Sequence, residues 1–491
     1  MVNSHYQLYI GGAFSEGSER EVMQSENPAN GKDWATFACA NELDVERAVD
    51  AASNALNNPE WRDMTQTARG KLLLKLADLI EEQATVIGNL ETQDSGKLLT
   101  ETATQTKYVA DYYRYFGGLA DKLEGTVLPI DKPEMHVFTT RMPIGVVAAV
   151  VPWNAQMFLT ATKLGPALAA GCCVIIKASE IAPIPILEFA KLIDRVGFPK
   201  GVVSVITGKA EHCSIPLTRN SKVDRIAFTG GPETARHIVR NSAENFAVTT
   251  LELGGKSPIL VFEDANLESA ANGLIAANFG ASGQSCVAGS RGLVDRRILP
   301  ELIRLISEKS KNIVVGDPLD TKTHMGPLCT NAQIKRIMDT LDKARSQGAV
   351  IHFGGKPLKR PGNYMAPTLV ECKTDETETL RVEMFGPVMS LIPFDKENEA
   401  IDLANNSVFG LGSGVFTQNL ARAHRVSSRI RSGICWINTY RAISPIAPFG
   451  GFNNSGYGRE AGQETILDYT RTKTTWINTS EKPMQNPFVM R

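Results

Sequence analysis

The sequence lacks the features that mark a stapled, metal-bound or membrane-spanning chain. Its eight cysteines, Cys39, Cys172, Cys173, Cys213, Cys286, Cys329, Cys372 and Cys435, are sparse, irregularly spaced and form no CxxC pair. That argues against a disulfide framework and a zinc site, and fits a reducing, cytoplasmic compartment. Seven histidines make no ligand spacing, so no metal is expected. No apolar run, 144–151 included, approaches the ~20 residues a spanning helix needs. A net charge of −1 leaves no basic footprint for nucleic acid or an anionic membrane. The start, MVNSHYQLYIGG, shows no basic segment followed by an apolar stretch, so no signal peptide is expected. There is no internal repeat, low-complexity tract or long linker.

Familiar catalytic signatures are missing too. The dinucleotide fingerprint GxGxxG is absent after any predicted strand. Its near match, GYGREA at 456–461, follows none. GGKS at 254–257 resembles the end of a P-loop, but Thr250 stands where the first glycine belongs. No GxSxG elbow occurs.

What is present is a chain of 491 residues, 43% apolar and 21% charged, long enough for two or three domains. Residues 7–40 read as short strands and turns. Apolar residues at spacings of three and four predict helices over 44–55, 69–91 and 106–123. The last carries Tyr108, Tyr112, Tyr113 and Phe116, an aromatic stripe read as core or subunit contact. Residues 124–143 read as extended and exposed. Then come short, continuously apolar strands at 144–151, 172–177, 202–206, 224–228, 249–253 and 258–262. Helices at 160–170, 184–196, 211–218 and 233–242 lie between most of them. This alternation predicts a parallel sheet buried on both faces, with ligands at the carboxyl ends of its strands. A second alternating section follows, with helices at 301–310, 331–346 and 399–405 and strands at 293–294, 368–370, 389–394 and 433–438. The tail, 472–491, reads as extended.

Several residues stand out within this frame. FGASGQSCVAGSR, 279–291, sets Cys286 among small residues, which leave a side chain reachable and let backbone approach closely. A nucleophile and a buried structural thiol both fit that stretch. Lys177 and Glu180 close a buried strand, where they could hold ribose hydroxyls or form a solvated loop pair. Gly230 and Gly231 open a helix that could meet a pyrophosphate, or simply turn. Glu252 ends an apolar strand, and a carboxylate there is either paired or working. Asn154 follows Trp153 at the same edge and could donate to an oxyanion or cap a turn.

The set PWN (152–154), KLGPALAAG (163–171), KASE (177–180), FTGG (228–231), LELGGKSP (251–258), GQSC (283–286), EMFGPV (383–388) and PFGGFNNSGYGRE (448–460) resembles the NAD(P)-dependent aldehyde dehydrogenase superfamily. The likeness covers nearly the whole chain. It implies an α/β fold with a Rossmann-like NAD domain (1–123 and 144–254), an α/β catalytic domain (255–453) and a small β oligomerisation element (124–143 and 471–491). It also accounts for the missing fingerprint, which this family does without.

The same likeness implies that Cys286 attacks an aldehyde and that Asn154 and the Cys286 N–H hold the oxyanion. Glu252 activates water, and Lys163 and Glu460 relay its protons. Trp153, Lys177, Ser179, Glu180, Gly208, Thr229, Gly230, Gly231, Leu253, Glu383 and Phe385 contact the cofactor. A glutamate at 180 would repel a 2′-phosphate, so NAD is expected over NADP. A homodimer or homotetramer is expected, acting on a small-molecule aldehyde. Departures from the common pattern occur at Ala155-Gln156, Thr162, Gly231-Pro232 and Gly280. Small residues there suggest a roomier pocket for an aromatic or branched aldehyde. Arg441 offers the alternative of a semialdehyde whose carboxylate it holds, or a plain surface ion pair. A CoA-acylating enzyme and a non-catalytic binding protein are the rival readings. Intact Glu252, Cys286 and Asn154 weigh against both.

Overall fold

A computed structural model describes residues 5–484 and 486–489. Its first sheet has eight strands, in the order Gly456–Tyr457, Val248–Glu252, Arg225–Thr229, Val146–Val150, Cys173–Ala178, Val203–Thr207, Leu8–Ile10 and Ala13–Ser15. The five from Val248–Glu252 to Val203–Thr207 run parallel, and the outer strands pair antiparallel. Strands such as VVAAV and RIAFT are buried at every position because helices cover both faces. Each fully buried Val or Ile contributes about 1.5–3 kcal/mol.

Register decides what this sheet presents. Val150 pairs with Lys177 and with Phe228, and Thr229 pairs with Glu252. Lys177, Thr229 and Glu252 therefore reach one carboxyl edge together, with the Pro152–Asn154 loop beside them.

The strand Pro258–Val261 departs from expectation. It does not extend the first sheet but starts the second, between Arg291–Asp295 and Gly412–Phe416. Gly254 and Gly255 lie at this crossing; a Cβ on Gly254 would meet the Glu383 carboxylate at 2.2 Å. The second sheet has seven strands, all parallel except the edge strand Val350–Phe353.

Three other stretches read less clearly from sequence. The expected 69–91 helix is two, Gln66–Glu82 and Ala84–Ser95, broken at Gln83. Helix Leu267–Phe279 and strand Gly412–Phe416 carry glycines that obscure their pattern. Packing explains them: a Cβ on Gly273 would strike the Phe416 ring at 2.4 Å, and one on Gly414 the Tyr440 ring at 2.9 Å.

Strands Met135–Pro143 and Thr470–Asn478 pair antiparallel as a separate two-stranded ribbon. Of the expected extended tail, Gln485, Met490 and Arg491 lie outside the described residues. No described helix is long and apolar enough to cross a membrane.

Candidate active site

The segment before Cys286 is bent and firmly held. Helix Leu267–Phe279 ends, and Ala281 and Ser282 then take left-handed backbone at φ 51° and 54°. Non-glycine residues there store about 1 kcal/mol or more each, so neighbours must hold them. Glu101 Oε1 accepts from Ala281 N–H at 3.0 Å, and Ser282 Oγ donates to the Gly326 carbonyl at 2.9 Å. Gln284 Oε1 accepts from Cys329 N–H at 2.9 Å. A Cβ on Gly283 would lie 2.2 Å from the Gly386 carbonyl oxygen. Small residues here serve backbone packing as much as access to the sulfur.

Cys286 stands where two cavities meet. One, of about 430 Å³, is walled by Glu101, Gln105, Tyr108, Phe158, Arg441 and Phe449 among others. The second, of about 250 Å³, is walled by Trp153, Thr229, Gly230, Gly231, Glu252, Leu253, Glu383 and Phe385 among others. Asn154, Leu159 and Cys286 border both. Asn154 Nδ2 donates to the Gln284 carbonyl at 3.1 Å. A carbonyl only accepts, so the amide is fixed with its second N–H available. The Cys286 N–H has no acceptor among the described residues. Burial, reinforced by Glu383 and Glu252, pushes the Cys286 thiol up to about 12, with Arg441 opposing.

Glu252 is buried, and neither of its oxygens has a hydrogen-bond partner among the described residues. Nearby, Lys163 Nζ is ion-paired with Glu460 and bonded to Thr229 Oγ1 at 2.6 Å. Thr162 Oγ1 donates to Glu460 Oε2 at 2.7 Å. Glu252 thus stands unpaired near a lysine whose contact is with Glu460. Burial first, then the Glu460 charge, holds Glu252 well above the usual carboxylate range, with Lys163 pulling the other way.

The second cavity suits a dinucleotide. Trp153 and Phe385 meet edge to face, with centroids 5.5 Å apart. Glu383 takes the Gly255 N–H at 2.8 Å on Oε1, leaving Oε2 for a hydroxyl. Burial raises its pKa to about 7. Gly231 caps helix Pro232–Asn245 with no side-chain bond, which leaves first-turn amides for a phosphate, although Glu233 adds a carboxylate to that turn. Lys177, Ser179, Glu180 and Gly208 stand outside this cavity, farther along the same sheet edge. Lys177 Nζ and Glu180 Oε2 are 2.6 Å apart, a donor and an acceptor suited to vicinal hydroxyls. Ser179 Oγ accepts from Ile181 N–H at 3.3 Å. Gly208 lies tight against backbone, where a Cβ would be 2.7 Å from the Ala40 carbonyl oxygen.

The pocket expectations need correction. Gln156 does not wall the larger cavity: its side chain is buried and donates to the Ala182 carbonyl at 3.3 Å. Thr162 is buried in the Glu460 network and adds no space. Gly280 leaves no void, because a Cβ there would stand 2.5 Å from Arg441 Nη1. The arginine fills the room that the glycine vacates. Of the aromatic stripe, Tyr112, Tyr113 and Phe116 are core, whereas Tyr108 walls the cavity and donates to the Ile443 carbonyl at 3.0 Å.

Sequence reasoning missed Gln333 and Arg336, on helix Asn331–Ser346, which wall the smaller cavity. Gln333 Nε2 bonds the Met384 carbonyl, and Arg336 Nη2 donates to the Glu383 carbonyl at 3.2 Å. An amphipathic surface helix gives no signal that its first turn faces a cleft. Lys97, in the loop between helices Ala84–Ser95 and Leu99–Leu119, and Glu101 and Gln105 on the second helix were missed as well, because no local pattern marks them as cavity wall.

With this geometry in place, comparison defines the class. The profile of the Aldehyde dehydrogenase family matches residues 14–475, and the chain belongs to that family. In particular, the chain is 53% identical over 487 residues to (Z)-2-((N-methylformamido)methylene)-5-hydroxybutyrolactone dehydrogenase of Acinetobacter baylyi, covering 99% of each. The crystal structure of PnpE in complex with nicotinamide adenine dinucleotide matches at a TM-score of 0.95 and 41% identity, covering 99% of this chain and 100% of that one. Betaine aldehyde dehydrogenase from Staphylococcus aureus in complex with NAD+ matches at 0.96 and 34% identity, covering 99% and 97%.

Proposed function

We propose that this enzyme oxidises an aldehyde to its carboxylate with NAD+, through a covalent adduct on Cys286. The observation that carries this reading is the position of the Cys286 sulfur between two cavities, with Asn154 and Glu252 converging on it. The Cys286 thiol gives its proton through water to Glu252, which hands it to the Lys163–Glu460 pair, and the thiolate adds to the aldehyde carbon. The oxyanion of the thiohemiacetal takes hydrogen bonds from the free Asn154 N–H and the Cys286 N–H. NAD+, when bound, supplies the hydride acceptor that turns the thiohemiacetal into a thioester. Glu252, with both oxygens free, takes a proton from water, whose oxygen adds to the thioester carbon and releases the carboxylate and the thiol. The Lys163–Glu460 pair, beside Glu252, passes that proton onward.

Lys177 and Glu180 hold the adenosine ribose, and the Glu180 carboxylate favours NAD over NADP. Glu383 holds the nicotinamide ribose, with Trp153, Phe385 and Leu253 around the ring. Thr229, Gly230 and Gly231 line the way to the pyrophosphate.

For the substrate, the larger cavity has a mainly apolar wall into which the Arg441 guanidinium is set, and that charge supports a semialdehyde. Arg441 lies in that wall and can take a carboxylate in two parallel bonds. The compound named for the Acinetobacter relative agrees in chemistry: ring opening of a 5-hydroxybutyrolactone gives a 4-oxobutanoic acid, with an aldehyde and a carboxylate on one chain.

The 135–143 and 470–478 ribbon carries exposed Met142, Trp476 and Ile477, which suit pairing of subunits into a dimer or tetramer. Eight free cysteines suit a reducing, cytoplasmic location.

The deciding experiment follows NADH absorbance with a panel of ω-carboxy, aliphatic, amino and aromatic aldehydes, beside Cys286→Ala. Turnover by the wild type and its loss in the variant are expected. Turnover that requires coenzyme A would favour an acylating enzyme, and no turnover of any aldehyde a non-catalytic protein.

A further inference from the structure

One group in the wall of the larger cavity has its orientation forced by its neighbours. Lys97 is buried beside Glu91, with Nζ 3.1 Å from Glu91 Oε1 and 2.7 Å from Gln105 Oε1. An ammonium group carries donors and no acceptor, so only the amide oxygen of Gln105 can face it. Nε2 is thereby turned to the other side. It has no protein partner among the described residues and is not sealed from solvent, and Gln105 walls the cavity that holds Cys286 and Arg441. Glu101 lies one helical turn earlier on helix Leu99–Leu119. Its Oε1 is spent on Ala281, and its buried Oε2 has no hydrogen-bond partner among the described residues. The cavity therefore offers a fixed amide donor at a place separate from the arginine.

We propose that Gln105 is a specificity residue whose Nε2 donates to a second oxygen acceptor on the substrate. That acceptor is an amide or carboxyl carbonyl carried as a side substituent of the aldehyde chain. Lys97 is the positioning residue that keeps the donor aimed inward. The inference rests on the semialdehyde reading of the site, in which Arg441 takes the terminal carboxylate. It adds that the preferred semialdehyde is substituted.

The test compares 2-acetamido-4-oxobutanoate with 4-oxobutanoate by kcat/KM, and 3-acetamidobutanal with butanal as a carboxylate-free pair. Gln105→Glu keeps a partner for Lys97 but turns an acceptor inward; Gln105→Met removes the polar group. Both are expected to lower the ratio of substituted to plain substrate about tenfold or more, mainly through KM. Lys97→Met frees the amide to turn and lowers the same ratio, which loss of stability alone would not move. Arg441→Ala lowers both oxo-acids together and leaves their ratio in place. A ratio that stays within about twofold of wild type in both Gln105 variants, on both pairs, overturns the proposal. If Arg441→Ala fails to separate the oxo-acids from butanal, the carboxylate reading falls. The neutral pair then decides Gln105 by itself.

Discussion

Gly280 and Arg441 are sterically matched: a Cβ on Gly280 would come within 2.5 Å of the arginine Nη1. Nη1 also donates to the Ala276 carbonyl at 3.1 Å, so the guanidinium lies along the end of helix Leu267–Phe279. Gly280 has φ −58° and ψ 141°, backbone open to any residue. Its requirement for glycine is therefore steric.

Gly280→Val should displace the guanidinium without straining the chain. Its kcat/KM for ω-carboxy aldehydes should fall about 10- to 100-fold, the worth of charge-assisted hydrogen bonds. Alkanals should lose less. Arg441→Ala should show the same selectivity. Equal losses on both substrate classes in steady-state assays would remove Arg441 from substrate binding.

Glu252 should make the enzyme less stable as pH rises. Below the ordinary carboxylate value, both folded and unfolded chains hold its proton. Above that value the unfolded chain releases the proton and the folded chain keeps it, because burial and Glu460 raise the folded value. Stability is then lost until pH passes the raised value. Glu252→Gln cannot ionise and leaves the Lys163–Glu460 pair intact. Its Tm should exceed wild type by on the order of 1–4 °C at pH 8, with the gap closing toward pH 5. Thioester hydrolysis should be nearly abolished, leaving a burst of NADH without turnover. A Tm gap independent of pH would refute the assignment.

Cys286 should be a protonated thiol before cofactor binds. With its pKa near 12, alkylation by iodoacetamide should quicken about tenfold per pH unit from 7 to 10 without a plateau. NAD+ should shift the curve to lower pH, since a cation nearby favours thiolate. Peptide mass spectrometry of the Cys286 adduct measures both. A plateau below pH 9 in the free enzyme would show a thiolate already formed.

Glu180→Ser should relax cofactor choice. Removing a carboxylate that would face a 2′-phosphate should raise kcat/KM for NADP about tenfold or more and lower it for NAD, where Glu180 accepts a ribose hydroxyl. An unchanged KM for NADP would sink this role.

Much of this site was legible from local pattern. Cys286 stood out among small residues. Glu252 and Asn154 stood out because strand-end loops of a parallel sheet gather ligands, and Lys177, Thr229 and Glu252 do share one edge by register. Gln156 and Thr162 misled because helix 156–170 is buried all round, so neighbouring side chains point to different places. Gly280 misled because absence of a side chain reads as space, whereas Arg441, far along the chain, occupies it.

The sequence by itself determined the alternation of strands and helices, a cysteine set among small residues and the carboxylate at a strand end. Those follow from periodicity and chemistry within a few residues. The tertiary structure alone decided that Pro258–Val261 leaves the first sheet for the second and that Gln333 and Arg336 reach the cofactor cleft. It also decided that Lys97 aims the amide of Gln105 into the cavity. These depend on contacts between segments distant in the chain, where packing and the pairing of buried donors with acceptors fix directions that no local spacing encodes.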